Sequence, residues 1–89
     1  MKKLIKRSYK AIKERGLITD ETTNEEFRDK MNEELIECIF SDMGRHQPDY
    51  IAEVTDLATV CIMQIHHLGY DFETEFKKVV EKNEARAKS

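Results

Sequence analysis

The segment from Tyr50 to Leu68 constrains the fold more strongly than any other part of the chain. Apolar side chains surround nearly the whole circumference of the helix that this segment can form, and only Glu53 and Asp56 carry a formal charge. Such a helix needs cover on most of its sides, so the sequence predicts that it packs among other helices. Its apolar residues are Tyr50, Ile51, Ala52, Val54, Leu57, Ala58, Val60, Cys61, Ile62, Met63, Ile65 and Leu68.

Two helices are predicted before this segment. The single Pro, the three Gly and the lack of alternating strand-like runs favour helix over sheet. The first helix is predicted over Lys2–Arg15, and Gly16 is suited to end it. Thr23 and Glu26 have the spacing of a capping box, which predicts a second helix that runs to about Met43.

The third helix follows a short interruption. Residues 44–48 break the helical pattern, because Gly ends helices readily and Pro fits only near a helix start. The third helix is therefore predicted to begin at Pro48 or Asp49. It continues through Leu68, and Gly69 is well placed as its C-terminal cap.

A fourth helix completes the predicted fold. Asp71 can cap its start, and the chain after about Arg86 is expected to fray. Four helices with short connections predict an all-α, four-helix bundle-like fold with one domain over residues 1–89. A chain of 89 residues buries only a limited apolar area by itself, so we expect oligomerisation to complete the fold.

The charge balance gives the chain no general attraction for nucleic acid. The formal net charge is −3, and the basic residues near the amino end are interpreted as one solvated helix face. No apolar segment is long enough to cross a bilayer and no leader peptide is recognisable, so we expect a cytoplasmic protein without a membrane partner. Cys38 and Cys61 lack C-x-x-C spacing and are interpreted as buried free thiols.

The two carboxylates of the third helix raise a problem of charge burial. Glu53 and Asp56 are three residues apart and share a helix face with Val60 and Met63. An ionised carboxylate among apolar residues is costly unless a positive charge or hydrogen bonds compensate it. From this helix alone, Lys or Arg of a neighbouring helix and a divalent cation are both possible partners.

The second helix repeats the same spacing with Glu34 and Glu37. A helical wheel places this pair toward the polar side, so a solvated face is one interpretation. Three further apolar residues, Ile36, Phe40 and Met43, leave only a narrow acidic strip, which favours contact with a neighbouring helix. The two pairs can then bring four oxygen donors around Mg²⁺, which keeps waters and binds substrate phosphates. The core side on the wheel comprises Phe27, Met31, Leu35, Cys38 and Ile39.

The arrangement Glu34-x-x-Glu37, fifteen intervening residues, then Glu53-x-x-Asp56 resembles the E-x-x-E and E-x-x-D pair of the MazG-like all-α nucleoside triphosphate pyrophosphohydrolases. The resemblance extends to residues 82–86 and is loose in the first helix. It implies a MazG-type fold in dimers or tetramers. It also implies Mg²⁺-dependent hydrolysis of a nucleoside triphosphate to a monophosphate and pyrophosphate, with these four residues as metal ligands.

The resemblance further implies that Lys82, Asn83 and Arg86 lie near the phosphates of the substrate. Asn83 also lies on the apolar side of the fourth helix, where an amide needs a partner. A solvated basic stripe is the alternative for this segment. Glu34 or Glu37 is expected to act as the base for the attacking water, with Glu37 preferred.

Two other functions remain open at this point. One is an activity like that of phosphoribosyl-ATP pyrophosphohydrolase, which uses related acidic helices on another nucleotide. The other is a non-catalytic helical interaction module, in which Glu53 and Asp56 pair with basic residues of a partner subunit. His66 and His67 lack the Glu and the second His at i+4 of a metalloprotease site and are interpreted as core or surface residues, and His46, in the turn before the third helix, is assigned no role.

Overall fold

The computed structural model describes residues 1–44 and 46–88, and within them the chain forms four α-helices and no strand. The all-α prediction is confirmed. None of the helices in these ranges combines the length and the apolar composition that crossing a membrane requires. The helices are α1 (Lys2–Glu14), α2 (Asn24–Met43), α3 (Gln47–His67) and α4 (Phe72–Ala87).

Local signals in the sequence place most helix ends correctly. The predicted capping box opens α2: the Thr23 hydroxyl accepts the backbone N–H of Glu26 at 3.2 Å, and the Glu26 side chain accepts the backbone N–H of Thr23 at 3.3 Å. The Asp71 carboxylate accepts a backbone N–H in the first turn of α4 at 3.1 Å. Gly16 and Gly69 follow α1 and α3 with φ of 76° and 89°, a conformation that favours glycine.

The start of α3 differs from the prediction. The helix begins at Gln47 and not at Pro48 or Asp49, because Pro fits within the first turn, where its missing N–H costs no helical hydrogen bond. The predicted interruption at residues 44–48 is therefore shorter, and Arg45 within it lies outside the described residues. At the other end, α4 continues to Ala87; Ser89, in the segment expected to fray, also lies outside them.

The helix α3 contacts each of the other three helices and packs most extensively on α2. Helices α2 and α3 are antiparallel: Gln64, near the end of α3, donates to the side chain of Asn24, at the start of α2, at 3.2 Å. The core lies where α1 and the α1–α2 connection meet this pair. Its fully buried members are Ile5, Ile18, Phe27 and Met63.

One copy of the chain covers α3 incompletely. Among the described residues 47–67 of α3, Met63 alone is buried, whereas Ile51 and Val54 are exposed. The radius of gyration is 15.0 Å, compared with about 12 Å for a compact domain of this length. The prediction that α3 is buried on most sides is therefore wrong for a single chain.

A hydrogen-bonded histidine joins three segments of the core. The Nε2 of His67 lies 2.9 Å from the backbone carbonyl of Thr22, and its Nδ1 lies 2.8 Å from the hydroxyl of Tyr9. A carbonyl oxygen only accepts, so Nε2 carries the proton and Nδ1 accepts from Tyr9. The interpretation of His67 as a core residue is consistent with this arrangement.

Removing the Tyr9 hydroxyl tests this connection. Tyr9→Phe leaves Nδ1 of His67 without its partner, and we expect it to lower the stability by about 1 kcal/mol, or the melting temperature by about 5 °C. Tyr70→Phe is the matched control, because Tyr70 is exposed. Thermal unfolding followed by circular dichroism measures both variants, and equal melting temperatures would show that the bond adds nothing.

Candidate metal centre

Three glutamates of α2 and α3 come together in the structure. Glu34 and Glu37 lie one turn apart on α2, and the antiparallel packing of α3 brings Glu53 against them. One carboxylate oxygen from each residue lies within 4.8 Å of the other two. We call Glu34, Glu37 and Glu53 the carboxylate cluster.

The orientation of α2 reverses part of the helical-wheel prediction. Phe27, Glu34 and Cys38 are the buried residues of the helix, whereas Leu35 and Ile39 are exposed. These three residues are spaced seven and four apart, so they lie on one side of α2, and this side packs inward. The placement of Glu34 on the polar side and of Leu35 and Ile39 in the core was therefore wrong.

Burial leaves two carboxylate oxygens without partners. Glu34 is only 8% exposed. Its Oε2 and the Oε2 of Glu53 are buried and have no hydrogen-bond partner in the part of the chain that the structure describes. Buried acceptors of this kind are normally satisfied, so these two oxygens are available to accept a hydrogen bond or to bind a cation.

A single lysine contacts Glu34 but does not neutralise the cluster. The Nζ of Lys30 lies 3.4 Å from Oε1 of Glu34, and its side chain is half exposed. At the separation found here, up to 4.8 Å, each pair of carboxylate charges repels by about 3 kcal/mol at an effective dielectric constant of about 20. A half-exposed ion pair contributes at most about 1 kcal/mol. One lysine is therefore too little for three carboxylates.

The same environment raises the pKa of two groups, the Glu34 carboxyl and the Cys38 thiol. Burial, together with the adjacent Glu37 carboxylate, raises the pKa of Glu34, and Lys30 acts in the opposite direction. Burial also raises the pKa of the Cys38 thiol, with contributions from all four predicted carboxylates, first among them Glu53. Cys38 is thus a buried free thiol with suppressed ionisation, which agrees with its predicted structural role.

The residues of the cluster fit a divalent cation. All the donors are carboxylate oxygens, the ligand type that Mg²⁺ and Ca²⁺ prefer. Two oxygens bound to one such ion lie at most about 4 to 5 Å apart, because each is about 2.0 to 2.6 Å from it. The separations within the cluster, up to 4.8 Å, fall within that limit for the longer Ca²⁺ bonds, whereas Mg²⁺ requires the oxygens to approach to about 4.2 Å or less.

Asp56 lies outside the carboxylate cluster. It is exposed, but its charge contributes to the raised pKa of Cys38, so it lies in the same neighbourhood. Of the four predicted ligands the structure brings together three, and Asp56 lies beside them. The i,i+3 spacing alone did not show that Asp56 lies beside the cluster. It places both carboxylates of a pair on one face of their helix, but it does not determine their distance from the neighbouring helix.

A cavity of about 520 Å³ adjoins the cluster. Of the carboxylate cluster, Glu34 lines this cavity, and Asp56, Arg15 and Lys30 also contribute to its wall. The volume is typical of a site for a small molecule. The apolar part of the wall is formed by Ile12, Leu17, Ile18, Phe27, Val60 and Met63.

The other predicted site residues lie elsewhere. Lys82, Asn83 and Arg86 are exposed on α4, and none of them lines the cavity. Sequence reasoning did not single out Lys30, although its position four residues before Glu34 indicated that the two side chains share a helix face.

No family model, curated protein or solved structure matches the chain. The interpretation of the site therefore depends on the carboxylate spacing and on the geometry described above.

Proposed function

We propose that the chain is a Mg²⁺-dependent nucleoside triphosphate pyrophosphohydrolase of the MazG-like all-α type. One observation carries this proposal: Glu34, Glu37 and Glu53 converge, two of their oxygens are buried without a hydrogen-bond partner among the described residues, and Glu34 also lines a cavity of about 520 Å³. Oxygen-only sites with few protein ligands suit Mg²⁺ that also binds substrate phosphates. In this proposal the phosphates meet the carboxylate cluster, and the apolar wall of the cavity receives the nucleoside.

The proposed reaction is attack of water on the α phosphorus. The bond to the oxygen that bridges to the β phosphorus breaks, and pyrophosphate leaves with that oxygen. A magnesium ion supplies charge stabilisation for the phosphates and makes a nearby water more acidic. Glu37 is the proposed base, because it is the exposed member of the cluster and can receive the proton of the water, whereas Glu34 is buried and contacts Lys30.

Residues outside the cluster have roles in the same proposal. Asp56 completes the metal ligands or orients the waters around them, since it lines the cavity with Glu34. Lys82, Asn83 and Arg86 contact the phosphates, with Arg86 suited to bidentate binding. Because all three are exposed on α4, a second copy of the chain is one route by which they reach the site.

A second copy of the chain is the proposed partner. One surface of α2 exposes Leu35, Ile36, Ile39, Phe40 and Met43, and we call it the outer face of α2. Contiguous apolar surface of this kind marks an interaction site. Ile51 and Val54 of α3 are also exposed and are further apolar residues that association can cover. The nucleotide substrate implies a cytoplasmic location in this proposal.

The deciding experiment is a pyrophosphate-release assay. The chain is incubated with each common ribonucleoside and deoxynucleoside triphosphate and with phosphoribosyl-ATP, with and without MgCl₂. We expect one class of nucleotide to give equal amounts of monophosphate and pyrophosphate only when Mg²⁺ is present. Cleavage of phosphoribosyl-ATP alone would assign the related activity instead.

The exposed outer face of α2 favours one other function, a non-catalytic helical interaction module. In that case the cluster binds neither Mg²⁺ nor a nucleotide. Thermal unfolding separates the two functions, because a ligand that binds only the folded state raises its melting temperature. A melting temperature that Mg²⁺ leaves unchanged, together with no cleavage of any nucleotide, would favour the module.

A further inference from the structure

Lys30 lies at the boundary between the carboxylate cluster and solvent. Its Nζ lies 3.4 Å from Oε1 of Glu34 and 3.2 Å from Oε2 of Glu33. The Glu34 side chain is 10% exposed, whereas that of Glu33 is 65% exposed and lies outside the cluster. The same ammonium group therefore contacts one buried carboxylate of the site and one carboxylate in solvent.

We infer that Lys30 is a built-in counterion that competes with the divalent cation for Glu34 and so limits the affinity of the cluster for metal. When metal binds, the ammonium group is released from Glu34 and keeps its contact with Glu33. This inference rests on the metal site of the proposed function but not on the reaction assigned to it.

Three observations support this role. First, Oε2 of Glu34 and Oε2 of Glu53 are buried and have no hydrogen-bond partner within residues 1–44 and 46–88, so the cluster retains binding capacity that Lys30 does not use. Second, an ammonium group this close to Glu34 repels a cation held by the same carboxylate. Third, the Lys30 side chain is 52% exposed, so its displacement requires no rearrangement of the core.

The contact between Lys30 and Glu33 determines how much free energy it costs to displace the Lys30 ammonium group from Glu34. Glu33 and Glu34 lie three and four residues after Lys30, the two spacings at which side chains of a helix meet. Because Glu33 accepts at 3.2 Å already, the released ammonium group keeps a partner. Loss of Glu33 removes that alternative and leaves Lys30 more firmly on Glu34.

Calorimetric titration of the full chain with MgCl₂ alone, without nucleotide, tests the inference. We expect Lys30→Met to tighten Mg²⁺ binding by about two- to fivefold, the range expected for a half-exposed ion pair. Met preserves the helix propensity and most of the apolar stem. Arg28→Met is the matched control, because it removes an exposed positive charge from the same helix two residues earlier.

The second arm changes the acceptor. Glu33→Gln is expected to weaken Mg²⁺ binding by about twofold, because Lys30 then has Glu34 as its remaining partner. Glu25→Gln removes an equal charge from an exposed position of α2 and serves as its control. Circular dichroism confirms that all four variants keep their helices.

Several results would overturn the inference. Unchanged or weaker Mg²⁺ binding by Lys30→Met would do so, and so would an equal gain in Arg28→Met, which would indicate a general charge effect. A wild-type chain that binds no Mg²⁺ would overturn both the site and the counterion. Mg²⁺ binding that tightens in Lys30→Met, without pyrophosphate release from any nucleotide, would support the counterion and contradict the proposed enzyme.

Discussion

Replacement of Glu53 by Gln is expected to lower Mg²⁺-dependent pyrophosphate release by about a hundredfold or more, because one anionic ligand of the cluster is lost. The same variant should be more stable than the wild type when no metal is added. The neutral amide removes one of three repelling charges and can donate to Oε2 of Glu34, which is buried in the cluster. We expect a gain of about 1 kcal/mol, or about 5 °C in melting temperature.

The opposite signs of the two effects distinguish a metal ligand from a structural residue. If Glu53 only supported the fold, the Glu53→Gln variant would lose stability and activity together. Glu84→Gln makes the same chemical change at an exposed position of α4 and should alter neither quantity. Full activity of Glu53→Gln, in an assay that detects the wild type, would remove Glu53 from the catalytic site.

Asp56→Asn gives a related measurement. The carboxylate spacing predicts that this variant also abolishes turnover, although Asp56 is exposed and lies outside the cluster. Loss of activity with weaker Mg²⁺ binding would show that Asp56 joins the ligands when substrate is bound. Full activity would show that Glu34, Glu37 and Glu53 suffice.

The second large effect concerns self-association. The wild type is expected to have a mass of at least twice that of the 10.5 kDa chain. Phe40, a member of the outer face of α2, is 67% exposed in one copy. Phe40→Glu places a carboxylate in the proposed interface and should weaken association by about 4 kcal/mol, or roughly a thousandfold in dissociation constant.

Size-exclusion chromatography coupled to light scattering measures the mass in solution, and we expect the mass of Phe40→Glu to fall to that of one chain. Leu4→Glu is the matched control, because Leu4 is an exposed apolar residue of α1 and not a member of the outer face of α2. It should keep the mass of the wild type. A wild type that elutes as a single chain at every concentration would contradict the proposed dimers and tetramers.

The local sequence determined the helices and most of their ends. Thr23 with Glu26 and Asp71 form the predicted caps, and Gly16 and Gly69 follow their helices with positive φ. Such signals act within a few residues along the chain, so they are legible without knowledge of the tertiary fold. The start of α3 was less well defined, because Pro is accepted at more than one position of a first turn.

The spacing of the carboxylates also indicated which helices form the site, but only the tertiary structure decided which members meet. Glu34, with a neighbouring polar strip, had the pattern of a surface residue, yet it lies in the α2–α3 contact, while Leu35 faces outward. A helix that is apolar around most of its circumference does not specify by its own pattern which side packs inward. The rotation of α2 about its own axis is set instead by its contact with α3. That contact buries Glu34 against Glu53, while Asp56 stays exposed at the edge of the carboxylate cluster.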